Sequence, residues 1–73
     1  MNTSEFRMVV LDGRTIRKFI TCLKKMGSDV EIDRPNHKRV KSGGETIFSA
    51  LKYSSGWDCR VHSMFINDLK ACF

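Results

Sequence analysis

The sequence predicts an α+β fold, a single small domain in which one amphipathic helix packs on a mainly antiparallel sheet. Three observations predict it. The stretch Arg14 to Met26, RTIRKFITCLKKM, has helical periodicity with its apolar and basic residues segregated. Short runs of alternating character flank it on both sides. Ser54-Ser55-Gly56 separates two such runs, as the turn of a hairpin does. The expected order is strand, helix, strand, short strand, hairpin and partial helix, or β-α-β-β-β(hairpin)-α, over residues 1–73.

Glu5 to Asp12, EFRMVVLD, reads as the first strand after a polar lead, Met1 to Ser4. Phe6, Met8 and Val10 share one side and Arg7, Val9 and Leu11 the other. Both sides turn apolar toward the end, which predicts a strand covered on both faces. Asp12 suits the N-cap of the helix, Gly13 the turn into it, and Gly27 the residue just past its end. On a wheel of roughly 100° per residue, Arg14, Arg17, Lys18, Lys24 and Lys25 fall in one arc of about 120°, with Thr21 among them. Ile16, Phe19, Ile20, Leu23 and Met26 fall in the opposite arc.

Ser28 to Asp33 reads as a second strand, with Val30 and Ile32 inward and Glu31 and Asp33 outward. Arg34-Pro35-Asn36-His37 is a turn. Lys38 to Lys41 reads as a short edge strand whose lysines discourage stray pairing. Ser42-Gly43-Gly44 breaks the chain again. Thr46 to Tyr53 fits a strand or a helix, and the alternation of Trp57, Cys59 and Val61 after the next turn favours a hairpin. Asn67 suits the cap of a last helical turn that buries Leu69 and Phe73. A helix cut this short is unstable alone, so an incomplete unit or a docked terminus is expected.

The formal charge is +5, and the helix alone carries five cations with no acidic residue. The other eight basic residues are matched by eight acidic ones. The excess therefore lies on one helical face, the footprint of a polyanionic partner. A basic face that meets only water is the alternative. Five phosphate contacts would give a salt slope of several units. Phe48, Tyr53 and Trp57 can stack bases where exposed, and otherwise belong to the core.

Other chemistries have thinner support. The longest apolar run, Met8 to Leu11, is far too short to span a bilayer, and no secretory leader follows the N-terminus. Cys22, Cys59 and Cys72 are odd in number and lack a C-x-x-C pair, which suits a reducing, intracellular compartment. Cys59 and His62 have the spacing of half a zinc site, but His37 and Cys72 complete it without pattern. Glu31 and Asp33 form a carboxylate pair on a strand, better read as a solvated face than as an acid–base site. No nucleotide-binding loop or hydrolase motif is present, so no enzyme, metal, cofactor or small-molecule substrate is expected.

The segment order resembles a DNA sliding clamp, the fold of proliferating cell nuclear antigen and of the heterotrimeric DNA-damage checkpoint clamp. EFRMVVLDG is similar to the first strand and turn of checkpoint-clamp subunits. IRKFITCLKKMGSDVEID resembles their first helix, closing glycine and second strand. ETIFSALKYSSGWDCRV resembles the later hairpin, with SSGWD similar to a serine–glycine–aromatic–aspartate turn of the replicative clamp. INDLKACF resembles the start of the helix that follows. Pro35 to Gly44 departs from the pattern, and the chain is shorter than one clamp domain.

The resemblance implies a sliding-clamp-like half domain, truncated or diverged. Clamp helices turn a basic face to the DNA backbone, so Arg14, Arg17, Lys18, Lys24 and Lys25 are the implied nucleic-acid-binding residues. It further implies contact without sequence specificity, partnership with other clamp subunits, no catalysis, and a nuclear role in replication, repair or checkpoint signalling. A KH-like RNA-binding module is the alternative, in which RVKSGGETIFSAL supplies a strand and a helix. Its clamping loop would fall at Gly13-Arg14-Thr15-Ile16, which has a glycine at one end only. A small protein–protein interaction domain whose basic helix meets an acidic partner is a third possibility.

Overall fold

A computed structural model of the protein describes residues 5–54 and 56–71. The expected elements form in the expected order: β1 (Phe6–Leu11), α1 (Gly13–Lys25), β2 (Asp29–Arg34), β3 (His37–Ser42), β4 (Glu45–Tyr53), β5 (Gly56–His62), a 3-10 turn (Ser63–Phe65) and α2 (Ile66–Ala71). The fold is α+β, with five antiparallel strands in the order β1-β5-β4-β3-β2. Thr46 to Tyr53 lies in a strand. The helix that a KH-like arrangement needs there does not form.

β1 and β2 are the two outermost strands, and α1 is the only element between them in sequence. The helix must therefore cross one face of the whole sheet. Its thirteen residues give about 20 Å, comparable with the ~19 Å between the outer strands of a five-stranded sheet. Both ends of α1 are closed by local chemistry. The Thr15 N–H donates to Asp12 Oδ1 at 2.7 Å. At the other end the Ser28 N–H donates to the Leu23 carbonyl and the Gly27 N–H to that of Lys24, both at 3.0 Å. That double closure needs a left-handed residue, and Gly27 supplies it with φ +94°.

The core lies between α1 and the sheet. Ile16, Phe19, Ile20 and Leu23 of α1 are buried against Val40, Ile47, Phe48, Ala50, Trp57, Cys59 and Val61, with Leu69 of α2 joining them. Phe19 and Phe48 meet edge to face, ring centroids 5.2 Å apart. Met26, placed in the apolar arc by the wheel, is instead the half-exposed C-cap residue. The helix has already ended there, so the 100° step no longer applies.

Four expectations are corrected. β3 is not an edge strand: it pairs with β2 on one side and β4 on the other. β1 is covered on one face only, since Met8 and Val10 are 64% and 69% exposed. Among the described residues, no second layer lies over that side. Asn67 is inside α2; the cap of the preceding 3-10 turn is His62, whose Nδ1 accepts from the Met64 N–H at 3.2 Å. The expected burial of Phe73 lies outside the described residues.

The fourth concerns β2. Its register against β3 shifts between Val30 and Ile32, leaving Glu31 as the extra residue of a bulge. One extra residue reverses the alternation beyond it. Val30 faces Val40 and packs on the core, whereas Ile32 does not join it. Asp33 turns to the helix side, lining a cleft with Arg17, Ile20, Thr21, Lys24 and Lys38.

Candidate nucleic-acid interface

α1 presents its cations because its other face is fully committed to the sheet. Arg14, Arg17, Lys18, Lys24 and Lys25 are all exposed, on the side opposite Ile16, Phe19, Ile20 and Leu23. The hydroxyl of Thr21 donates back to the Arg17 carbonyl at 2.9 Å, so its hydrogen is committed to the helix. Arg14, Arg17, Lys18, Thr21 and Cys22 line one shallow open cleft without a carboxylate. From Arg14 to Lys25 the helix advances about 16 Å, long enough to follow several phosphates of a nucleic-acid strand.

The carboxylates that might have neutralised this face are engaged elsewhere. Glu31, thrown outward by the bulge, accepts from Arg39 Nη1 and from Lys41 Nζ, each at 3.3 Å. Burial would raise the Glu31 carboxyl, but the two cations more than offset that and hold it below its ordinary value. Asp33 pairs with Lys38. The Lys38 hydrogen bond and charge, with a smaller contribution from Lys24, hold the Asp33 carboxyl low. Among the described residues, no carboxylate lies within ion-pairing distance of any of the five α1 cations. The two basic clusters of the sequence thus differ. Lys38, Arg39 and Lys41 are compensated by the neighbouring strand, and the helix is not.

Lys24 and Arg17 share the Asp33 cleft, and the Lys24 charge helps to hold that carboxyl low. Lys38 is more deeply placed than a surface lysine. Its side chain is 15% exposed, between Asp33 and the Trp57 ring, whose centroid is 5.5 Å from Nζ. This cation–π contact joins β3 to β5 beneath the helix. Nothing in the local sequence around Lys38 signals it, because the partners come from a bulged strand and a strand nineteen residues later.

Of the three aromatic residues considered for stacking, Phe48 and Trp57 are core and only Tyr53 is exposed. Cys59 and His62 do not form a reactive pair. They are an odd number of residues apart on β5 and so face opposite sides of the sheet. Cys59 is fully buried, and burial pushes its thiol up to about 12, so it is not a thiolate at neutral pH. His62 Nε2 is 3.0 Å from Glu5 Oε1, and its ring meets Phe6 and Phe65 edge to face. Among the described residues, no group of three or more His, Cys, Asp or Glu side chains is placed to hold a metal. Cys22 is disulfide-bonded, against the expectation of unpaired thiols, so cysteine usage no longer argues for a reducing compartment. Cys72 lies outside the described residues.

No protein-family model, curated protein or solved structure matches the chain. No helix in the described residues is long and apolar enough to cross a membrane.

Proposed function

We propose that the chain is a non-catalytic, DNA-associated module of sliding-clamp type, a half domain that contacts the DNA backbone through α1 and associates with other clamp subunits. One observation carries the reading. The net positive charge of the protein is concentrated on one exposed helical face, and the β2 carboxylates Glu31 and Asp33 are paired with cations of β3. Such a face recognises regularly spaced phosphates and reads no base edges. The antiparallel sheet behind it, and the resemblance of the segment order to checkpoint and replicative clamps, support the choice of duplex DNA as the anion. A nuclear place of action follows from that choice alone.

The test is fluorescence anisotropy with a labelled DNA duplex of about three helical turns, read across a salt series. Three to five phosphate contacts give a slope of log affinity against log salt of about −3 to −4.5. Replacing Arg17, Lys18 and Lys24 by glutamate abolishes binding and leaves the circular dichroism spectrum unchanged, since all three side chains are exposed. Duplex affinity retained in that variant overturns the proposal. Tighter binding to a short single-stranded RNA than to the duplex would point to RNA as the ligand.

A further inference from the structure

His62 ends β5 where that strand, the start of β1 and the 3-10 turn meet, and both of its ring nitrogens are engaged. Nδ1 lies 3.2 Å from the Met64 nitrogen, and Nε2 lies 3.0 Å from Glu5 Oε1. The Met64 group is a backbone N–H, which only donates, so Nδ1 must present a lone pair. The proton of the neutral ring therefore sits on Nε2 and is donated to the Glu5 carboxylate. The ring is confined in this orientation. Its side chain is 14% exposed, and Phe6 and Phe65 meet it edge to face at centroid distances of 5.4 and 6.4 Å.

A second proton changes what this ring can do. Imidazolium donates from both nitrogens and accepts at neither. The bond from the Met64 N–H is then lost, and no rotation of the ring restores it. The bond to Glu5 is kept and becomes an ion pair. The other charged groups around the ring are few. Glu45 of β4 lines a cleft with it and attracts the cation. Arg60, two residues back on the same face of β5, repels it. The 3-10 turn Ser63–Phe65 carries no ionisable side chain, and Asp68 and Lys70 of α2 do not line the cleft.

The bond at stake holds the entry to α2. His62 caps the 3-10 turn, which runs directly into α2. α2 has six residues, too few to stand alone, and depends on Leu69 in the core and on Phe65 and Ile66 packed against it. The Ser63 N–H donates to the Glu5 carbonyl at 2.7 Å, so the strand start and the turn are joined beside the same ring.

We propose that His62 is a pH-operated latch on the turn into α2. The neutral ring caps the turn through the Met64 N–H, and the protonated ring releases that N–H while it keeps Glu5. Acidification through the range in which histidine gains its charge, about pH 8 to 5, loosens the 3-10 turn and leaves the β1–β5 ladder paired. The latch uses none of the α1 cations and does not depend on the DNA reading.

The experiment is amide exchange with water in the full ¹⁵N-labelled chain, followed by NMR and divided by the intrinsic rate at each pH. From about pH 8 to pH 5, protection of the Met64 amide falls at least about fivefold, the worth of one hydrogen bond, and the β5 amides keep theirs. In His62→Asn, whose side-chain oxygen can cap the turn but takes no proton, the fall disappears. In Glu5→Gln it persists, because the ring and not the carboxylate changes charge. Equal Met64 protection at both pH values, a fall shared by the β5 amides, a fall that survives in His62→Asn, or its loss in Glu5→Gln overturns the proposal.

Discussion

Phe19 and Phe48 report whether α1 is seated as described. Both are fully buried, their centroids are 5.2 Å apart, and their planes meet at 84°. The orientation of the basic face depends on this contact, because a one-residue slip of the helix turns that face by about 100°. A domain of this size is stable by about 4–11 kcal/mol. Truncation to alanine, at about 3–5 kcal/mol, would risk unfolding it. Leucine is the better probe, since it keeps most of the volume and removes the ring. Each single change, Phe19→Leu or Phe48→Leu, should cost about 1–2 kcal/mol. Of that, about 0.5–1.5 kcal/mol belongs to the edge-to-face pair itself and is lost only once. The double variant should therefore be more stable than the sum of the singles by that amount. In urea, with a slope of about 1 kcal/mol per molar, each single lowers the midpoint by about 1–2 M. Additivity within about 0.3 kcal/mol would mean that the rings do not meet and that α1 lies elsewhere on the sheet.

Other outcomes follow from the same geometry. Gly43 and Gly44 have φ of +60° and +85°, with no neighbour within 4 Å of an added Cβ. Gly44→Ala should cost about 1 kcal/mol in urea melts, from backbone strain alone, and no loss would refute that account. Met8→Thr, on the bare sheet face, should shift stability by less than about 0.5 kcal/mol; a larger loss would reveal a covering layer. Native protein treated with iodoacetamide at neutral pH should leave Cys59 unmodified in peptide mass maps, whereas urea should expose it to rapid labelling. The Asp12, Glu31 and Asp33 carboxyls are held below their ordinary values when folded. Their stabilisation is thus present above about pH 4 and is lost as pH falls through the lower folded values. Thermal midpoints should fall from about pH 4 downward, and a flat profile from pH ~4.5 to ~2.5 would contradict this sign.

The helix was legible because its information is local. Asp12, the segregated wheel from Arg14 to Leu23, and Gly27 all act within a few residues of one another, so capping, periodicity and termination can be read in one window. The β4–β5 hairpin was legible for the same reason, from a turn sequence between two runs of which the second clearly alternates. The inward direction of Ile32 was misread, because a bulge is set by pairing with the next strand and reverses every side chain beyond it. The edge position assigned to β3 and the two-sided burial assigned to β1 failed on a related ground. Which strand is an edge, and which face has a second layer, depend on where distant strands dock.

By itself, then, the chain determined its elements, the buried stripe of α1, and five cations on the other side of that helix. Only tertiary structure decided what those charges meet. It brought Glu31 to Arg39 and Lys41 and Asp33 to Lys38, and it left Arg14, Arg17, Lys18, Lys24 and Lys25 without an ion-pair partner among the described residues. It also set Arg39 and Arg60 on either side of Ser49. Charge compensation acts between groups a few ångströms apart in space, and strand order places there residues that sequence separation hides.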